Sequence, residues 1–530
     1  MTTSLLGLLL LANTSAYALD AEVVKKLAAE DTAPKLEAIN ALARAADPTA
    51  LPVLEALRDG NLNVTPDGRV LILIDGVAKD AATGEALAQV PSGLEAVGIN
   101  NRVRSALDSA LSAFALFSSD REKRLQAARG MEGSTSVSLL PMLDKALDKE
   151  GDPQIRSSLE QTRAGINVAD RDPKVRLDAV KVLGQSNQQR TKLLLLPLLE
   201  KDASGQFAEA DASVRQAADL AVTAINRRVA LSDYSGRLFA GVSLASILML
   251  AALGLAITYG LLGVINMAHG EMIMIGAYAT YVTQQVVRGH FPGLVEWYPL
   301  VAIPVAFVAS ALVGMALERS VIRWLYGRPL ETLLATWGIS LFLIQLVRQI
   351  FGPQNVEVAN PGWLSGGIEL ANLTLPYSRI AIIGFAVIVL LLMWLLLART
   401  RLGLFVRGVT QNRTMASCMG VNTGRVDLLA FGLGSGVAGL AGVALSQVGN
   451  VGPDLGQSYI IDSFMVVVLG GVGQLAGTMY AALGLGVASK LLEPYIGAVP
   501  TKILILVLII AFIQRRPQGL FALKGRALEA

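Results

Sequence analysis

The chain has 530 residues, of which 53% are hydrophobic and only 16% charged, with a formal net charge of +3 and one cysteine. That balance is too apolar for an ordinary soluble protein, and the charge, with no basic stripe interleaved with aromatics, is too small to argue for nucleic acid as a partner. Cys418 alone excludes an internal disulfide and a cysteine-based metal site, and reads as an inert structural residue.

The first residues, MTTSLLGLLLLANTSAYALD, carry an apolar run from Leu5 to Leu11 and then Ala16-Tyr17-Ala18, a small-residue cleavage pattern. They predict a signal peptide over 1–18 and an exported N-terminus, although no Lys or Arg precedes the run. Read as an anchor instead, the run is too brief to cross a bilayer, which takes about 20 residues.

Residues 19–232 read as a helical domain. Apolar residues fall at three- and four-residue spacing, as in VRLDAVKVLG (Val175–Gly184), and a phrase recurs: Asp152-Pro153-Gln154-Ile155-Arg156, Asp172-Pro173-Lys174-Val175-Arg176 and Asp211-Ala212-Ser213-Val214-Arg215, with Asp120-Arg121-Glu122-Lys123-Arg124 as a weaker echo. The Asp is placed to cap a helix, and the phrase resembles the second helix of HEAT-type repeats, so a short α-solenoid is expected. NLNVTPDGRVLILIDG (Asn61–Gly76) alternates around Pro66-Asp67-Gly68 and predicts an inserted β-hairpin. A solenoid offers a concave partner surface, or is a folded accessory without a ligand. The region has no histidine and no catalytic constellation.

Residues 233–530 change regime to long apolar runs. Candidate crossings lie at about 238–262, 268–287, 299–318, 332–351, 379–398, 426–447, 460–473, 476–493 and 500–514. The segment 460–473 is short and Gly-rich, and is expected to be re-entrant, broken or half-spanning, which requires protein or water to cover its backbone. Arg319, Arg323 and Arg328, then Arg399, Arg401, Arg407, Arg413 and Arg425, then Arg515, Arg516, Lys524 and Arg526 mark three basic regions. Nine crossings put all three in the cytoplasm and the N-terminal domain on the opposite side, which agrees with the leader. Trp297, Tyr298, Trp324 and Tyr326 sit at span ends, and the small residues of GLGSGVAGLAG (Gly432–Gly442) suit close helix packing.

Within this half, GVINMAHGEMIMIGAY (Gly263–Tyr278) concentrates Asn266, His269 and Glu271 in apolar surroundings. Two readings stand. The trio lines a route for a small polar solute, with His269 as the nearest partner for Glu271, or it satisfies backbone groups freed by a break at Gly263–Gly270. Thr336, Gln447 and Asp462 join the trio as candidate pathway residues, among further in-span polar groups at Ser340, Gln345, Ser446 and Ser463. No G-x-x-x-x-G-K-[ST] phosphate loop and no H-E-x-x-H zinc pattern occurs, so no enzyme, cofactor or metal site is expected. In the basic connector, Thr410–Val421 has helical character, with Met415, Cys418 and Met419 forming a small apolar face that suits docking.

Three stretches carry a resemblance. LGLAITYGLLGVINMAHGEMIMIGAY (Leu253–Tyr278), RTRLGLFVRGVTQNRTMASCMGVNTGRVDLLAFGLGSGVAGLAG (Arg399–Gly442), and GGVGQLAGTMYAALG with RRPQGLF resemble, in order, the LivH-type permeases of branched-chain amino-acid ABC importers. The long exported extension is similar to the urea-permease branch of that family. The resemblance implies an all-α, polytopic bundle of the type II ABC importer permease class. It further implies a second related permease, two cytoplasmic ATPase subunits and an extracytoplasmic urea-binding protein as partners, with membrane lipid around the bundle. The family's ATPase-coupling helix maps onto Gln411–Gly420, including Asn412, Met415, Cys418 and Met419. Urea is the implied cargo, with a branched-chain amino acid or short amide as the alternative. The extension has no counterpart in the amino-acid permeases.

Overall fold

The computed structural model describes residues 19–521 apart from 46–47, 75, 202–204, 264 and 371–372, so the leader expected over 1–18 lies outside the described residues. Internal contacts divide the chain into two units, one ending at Val229 and one beginning at Ala230.

In the first unit, helices α1 (Ala21–Leu27), α2 (Thr32–Ala45) and α3 (Leu51–Arg58) precede four short strands, β1 (Leu62–Val64), β2 (Val70–Ile74), β3 (Val77–Asp80) and β4 (Glu95–Ala96). Six helices follow: α4 (Asn101–Ala115), α5 (Arg121–Met131), α6 (Leu140–Lys149), α7 (Pro153–Asn167), α8 (Pro173–Leu183) and α9 (Gln189–Leu195). The expected hairpin is the antiparallel β1–β2 pair, with Val64 opposite Val70 and Gly68 at φ 80°, a left-handed turn conformation that glycine adopts without a steric cost. It belongs to a larger sheet than expected, in the order β3-β2-β1-β4.

All four recurring Asp residues are caps. Asp152 accepts from the amides of Gln154 at 2.8 Å and Ile155 at 3.2 Å, Asp172 from Lys174 at 2.9 Å, Asp211 from Ser213 at 2.8 Å, and Asp120 from Glu122 at 2.9 Å. The Arg closing each phrase has a second task. Arg176 donates to the Asp170 and Arg171 carbonyls and forks onto Glu209 with two 2.7 Å bonds, and Arg124 repeats this with the Ser118 carbonyl and Glu150 at 2.8 Å. Glu209 and Glu150 each stand two residues before the next Asp cap, so the same charged bridge ties α5 to the start of α7 and α8 to the start of the helix that Asp211 caps, skipping one helix each time.

Helix α10 (Ala212–Leu262) gives Val214, Ala218, Ala221 and Ile225 to the core of the first unit and its later residues to the second. It starts well before the 238 expected of the first crossing, because no proline interrupts the run from Ala212. The second unit continues with α11 (His269–His290), α12 (Tyr298–Ser320), α13 (Pro329–Phe351), a hairpin of β5 (Gly367–Leu370) and β6 (Leu373–Pro376), α14 (Tyr377–Arg399), α15 (Arg401–Gln411), α16 (Arg413–Cys418), α17 (Thr423–Ser446), α18 (Leu455–Gly470), α19 (Leu475–Ile496) and α20 (Ala498–Arg515).

Among the described residues seven helices are long and apolar enough to cross a membrane; α11 and α18, two of the nine expected crossings, fall outside that set. α11 is long enough, but it buries His269, Glu271, Thr280, Thr283 and Gln284, which lowers its hydropathy. α18, where a short or broken segment was expected, is a regular helix of 16 residues that ends at Gly471 with φ 100°. At 1.5 Å per residue it is about 24 Å long, short of the roughly 30 Å of a hydrocarbon core.

Burial is inverted relative to a soluble bundle. Leu391, Leu392 and Trp394 on α14, and Val499, Ile503 and Leu508 on α20, are exposed, as lipid-facing side chains are. The interior is instead lined with small residues: α17 is buried almost continuously from Ala430 to Ser446, with Gly432, Gly434, Gly436, Gly439 and Gly442 in that run. The close approach is strict at Gly434, where an added Cβ would lie 2.6 Å from the Gly254 carbonyl oxygen and 2.7 Å from Thr258 Cγ2.

Candidate translocation site and coupling surface

The turn between α10 and α11 builds the first polar cluster. Asn266 is buried, and its Oδ1 accepts the Ala268 amide at 3.0 Å, closing the entry to α11. Thr336 on α13 holds the same turn: its hydroxyl accepts the Met267 amide at 3.1 Å and donates to the Thr332 carbonyl at 2.8 Å. Both contacts serve freed backbone groups, as the structural reading of this motif required. His269 and Glu271 do something else. The imidazole, fully buried, meets the Ala251 carbonyl of α10 through Nε2 at 3.0 Å, so that nitrogen carries the proton, because a carbonyl only accepts. Glu271 Oε1 accepts the hydroxyl of Ser340 on α13. The His269–Glu271 partnership expected from sequence therefore gives way to two separate partners on different helices, since neighbours two apart on a helix point to different faces.

Two polar atoms in this cluster, Asn266 Nδ2 and His269 Nδ1, are buried without a protein partner among the described residues. A buried donor or acceptor left unmet costs roughly 1–3 kcal/mol. Neither is needed to close the turn, so each keeps unused hydrogen-bonding capacity.

Gln447 belongs to a second cluster. Its Nε2 donates to Tyr298 Oη at 3.0 Å, the single Tyr298 hydroxyl proton is shared between Gln447 Oε1 at 3.1 Å and the Ala359 carbonyl at 3.0 Å, and Gln284 Nε2 donates to the same carbonyl at 2.8 Å. Gln284 lies fifteen positions after His269 on α11, about 22 Å along the helix at 1.5 Å per residue. Sequence reading missed Gln284 as a participant and took Tyr298 only for an interfacial ring; their link runs through a loop carbonyl that no local pattern announces. Asp462, the third outlying candidate, stands apart from both clusters and pairs with Lys502 of α20 at 3.0 Å. Of the expected pathway residues the fold thus brings together Asn266, His269, Glu271 and Thr336, and places Gln447 and Asp462 elsewhere.

The expected coupling helix is two helices. Thr410 and Gln411 end α15, and Asn412 breaks the run by capping α16, its Oδ1 accepting the Met415 amide at 2.9 Å. Gly420 closes it with φ 85°. α16 buries Ala416 against Val406, Val409, Val426 and Ala430, and leaves Met415 and Met419 at 60% and 79% exposure, with Cys418 also exposed. The short helix thus holds an apolar face outward, uncovered by the rest of the chain among the described residues.

A relay unseen in the sequence fixes α16 to the bundle. Arg413 pairs with Asp427, a carboxylate 1% exposed on α17, and its guanidinium lies 5.0 Å from the centroid of the Tyr326 ring. Tyr326 in turn donates to Glu318 of α12 at 3.1 Å. From α17 the path continues to the first cluster, because Gly434 abuts Gly254, and a Cβ on Gly254 would stand 2.9 Å from His269 Cε1.

A multi-pass helical bundle with small-residue packing, buried polar groups and an outward-held apolar helix defines a membrane permease. Residues 237–513 match the family described as "Branched-chain amino acid transport system / permease component", and the chain belongs to that family. It is 31% identical over 295 residues to the high-affinity branched-chain amino acid transport system permease protein LivH of Salmonella typhimurium, an alignment covering 54% of this chain and 94% of that one. It is 29% identical over 294 residues to the permease protein BraD of Pseudomonas aeruginosa, covering 54% and 95%. A ribose import permease, RbsC of Escherichia coli, matches at 27% over 201 residues, covering 36% and 60%. These relatives are transport permease subunits rather than enzymes.

Proposed function

We propose that the chain is a membrane permease subunit of an ATP-driven importer, acting by alternating access with a second related permease, two cytoplasmic ATPases and an extracytoplasmic binding protein. The observation that carries this reading is the joining of the outward-held Met415–Met419 face to the buried Asn266–His269–Glu271 cluster through Arg413, Asp427 and the α17–α10 contact. An ATPase pressing on α16 displaces α17, whose Gly434 packs on Gly254 of α10, the residue that lies against His269. Hydrolysis thereby alters the cluster without any nucleotide residue in this chain. The basic ends of α12, α14 and α20 face the cytoplasm of a bacterial inner membrane in this reading, and the unit ending at Val229, a solenoid of HEAT-like repeats, faces outward.

The cargo is a branched-chain amino acid, as named for the relatives. Urea is the second reading, favoured by two observations. The unit ending at Val229 lies outside the 237–513 family match, and the first cluster offers amide, imidazole, hydroxyl and carboxyl groups and, among the described residues, no Lys or Arg to meet a carboxylate. Uptake of labelled leucine and labelled urea, measured in cells with the gene deleted and then restored, decides between them. Leucine uptake that follows the gene supports the main reading, urea uptake alone supports the second, and neither following it overturns both.

A further inference from the structure

A polar cavity lies among α10, α18, α19 and α20, near the end of the bundle where α19 turns into α20 at Gly497. Its volume is about 330 Å³; at about 30 Å³ per water-sized share this holds a ligand of roughly ten non-hydrogen atoms. Four charged side chains line it in two pairs: Asp462 with Lys502 at 3.0 Å, and Lys490 with Glu493 at 2.6 Å. The cavity is therefore neutral overall, with charge separated inside it. Leu244, Leu248 and Ile505 supply an apolar side.

The Asp462–Lys502 pair is lopsided. The Asp462 side chain is 11% exposed and the Lys502 side chain 58%. A carboxylate so placed needs a cation within reach, whereas the lysine ammonium, on a flexible stem, can turn to water or to another anion. A ligand ammonium that replaces Lys502 on Asp462 leaves Lys502 free to take the same ligand's oxyanion, and the charge of the cavity is unchanged. Ser489 and Thr501 donate their hydroxyl protons to the Leu485 and Gly497 carbonyls at 2.7 and 2.6 Å, so their oxygens face the cavity as acceptors for ammonium hydrogens. A simple anion or cation finds no net charge here and breaks one pair without rebuilding it.

We propose that this cavity binds a zwitterion carrying a primary ammonium and an oxyanion on a small aliphatic body, either a free α-amino acid or the headgroup of an ethanolamine phospholipid. The amino-acid source rests on the cargo reading above; the lipid source does not.

The test uses the purified full-length chain assembled with its partner subunits, without binding protein. Equilibrium dialysis with labelled L-leucine, competed by leucinol and by isovalerate, reads the first source, and native mass spectrometry of retained ethanolamine phospholipid reads the second. Saturable binding in either arm, undisplaced by the two half-ligands and reduced at least tenfold in both Asp462→Asn and Lys502→Gln, is the expected result. Where a single variant fails to assemble, Asp462→Lys with Lys502→Asp keeps the pair and the net charge but reverses the dipole, and the same tenfold loss is expected. Binding in neither arm, or binding unchanged in the variants, overturns the assignment. Leucine uptake that follows the gene while both arms stay empty overturns the cavity alone. Uptake that ignores the gene while the lipid is retained overturns the cargo alone.

Discussion

The two units hold their carboxyl groups in opposite solvents. In the first, Arg121 with Asp152 and Arg156 with Glu160 sit at a wet surface, and even the better covered Arg176–Glu209 pair shows 17% of its arginine. In the second, Asp427 is 1% exposed and Glu271 2%, and each has a single side-chain partner, Arg413 and Ser340 respectively. The former pairs trim helix ends that would otherwise be hydrated; the latter must be met or they destabilise the fold. The lesson is that a carboxylate's partner matters in proportion to what replaces it when lost, and in the bundle nothing does.

The largest effect expected from that contrast is at Arg413. Arg413→Leu strands the Asp427 carboxylate and should cost about 3–5 kcal/mol, whereas Asp427→Asn, which leaves a half-exposed guanidinium free to hydrate, should cost much less; thermal unfolding of the assembled importer reads the difference. Equal losses would mean that the pair acts through shape. Next, Gly254→Leu should displace His269 and α17 together and abolish assembly, seen as loss of the chain from the purified complex.

Met415→Asp or Met419→Asp should leave assembly and melting unchanged, because both side chains are exposed, yet lower ATP-driven uptake at least tenfold. Unaltered uptake would remove the docking role of α16. Acidification sharpens the comparison from the other side. Hydrogen bonding from Arg176 holds Glu209 below the usual carboxylate range, and hydrogen bonding from Ser213 does so for Asp211. These groups bind fewer protons folded than unfolded, so their stabilisation is full above the unfolded carboxylate range and is lost as pH falls through the lowered folded values. The far-ultraviolet circular dichroism of the helical unit should therefore weaken below about pH 4. Smallest of all, Lys181→Ala removes an exposed pair with Asp178 and should change stability by no more than about 0.5 kcal/mol.

What could be read in advance was local. The Asp caps and the turn at Gly68 are set by residues within a few positions and formed as expected, and of the nine apolar runs seven became helices long and apolar enough to cross a membrane. Contacts between distant segments were not legible: Ser340 reaches Glu271 across 69 positions and Tyr298 reaches Gln447 across 149. The start of α10 was hidden because helix propensity continues where hydropathy changes, and the hairpin β5–β6 because its strands are only four residues each. The break at Asn412 could have been found, since an Asn three residues before Met415 is a capping signal inside what looked like one helix.

The central claim is that the cluster at the start of α11 handles solute rather than only closing a turn. The most direct measurement is solute transported per ATP hydrolysed by the reconstituted importer carrying Glu271→Gln, which keeps a hydrogen-bonding partner for Ser340. The account predicts retained ATP hydrolysis with uptake reduced at least tenfold. Uptake and hydrolysis both at the level of the unaltered importer would contradict it and leave Glu271 a packing residue.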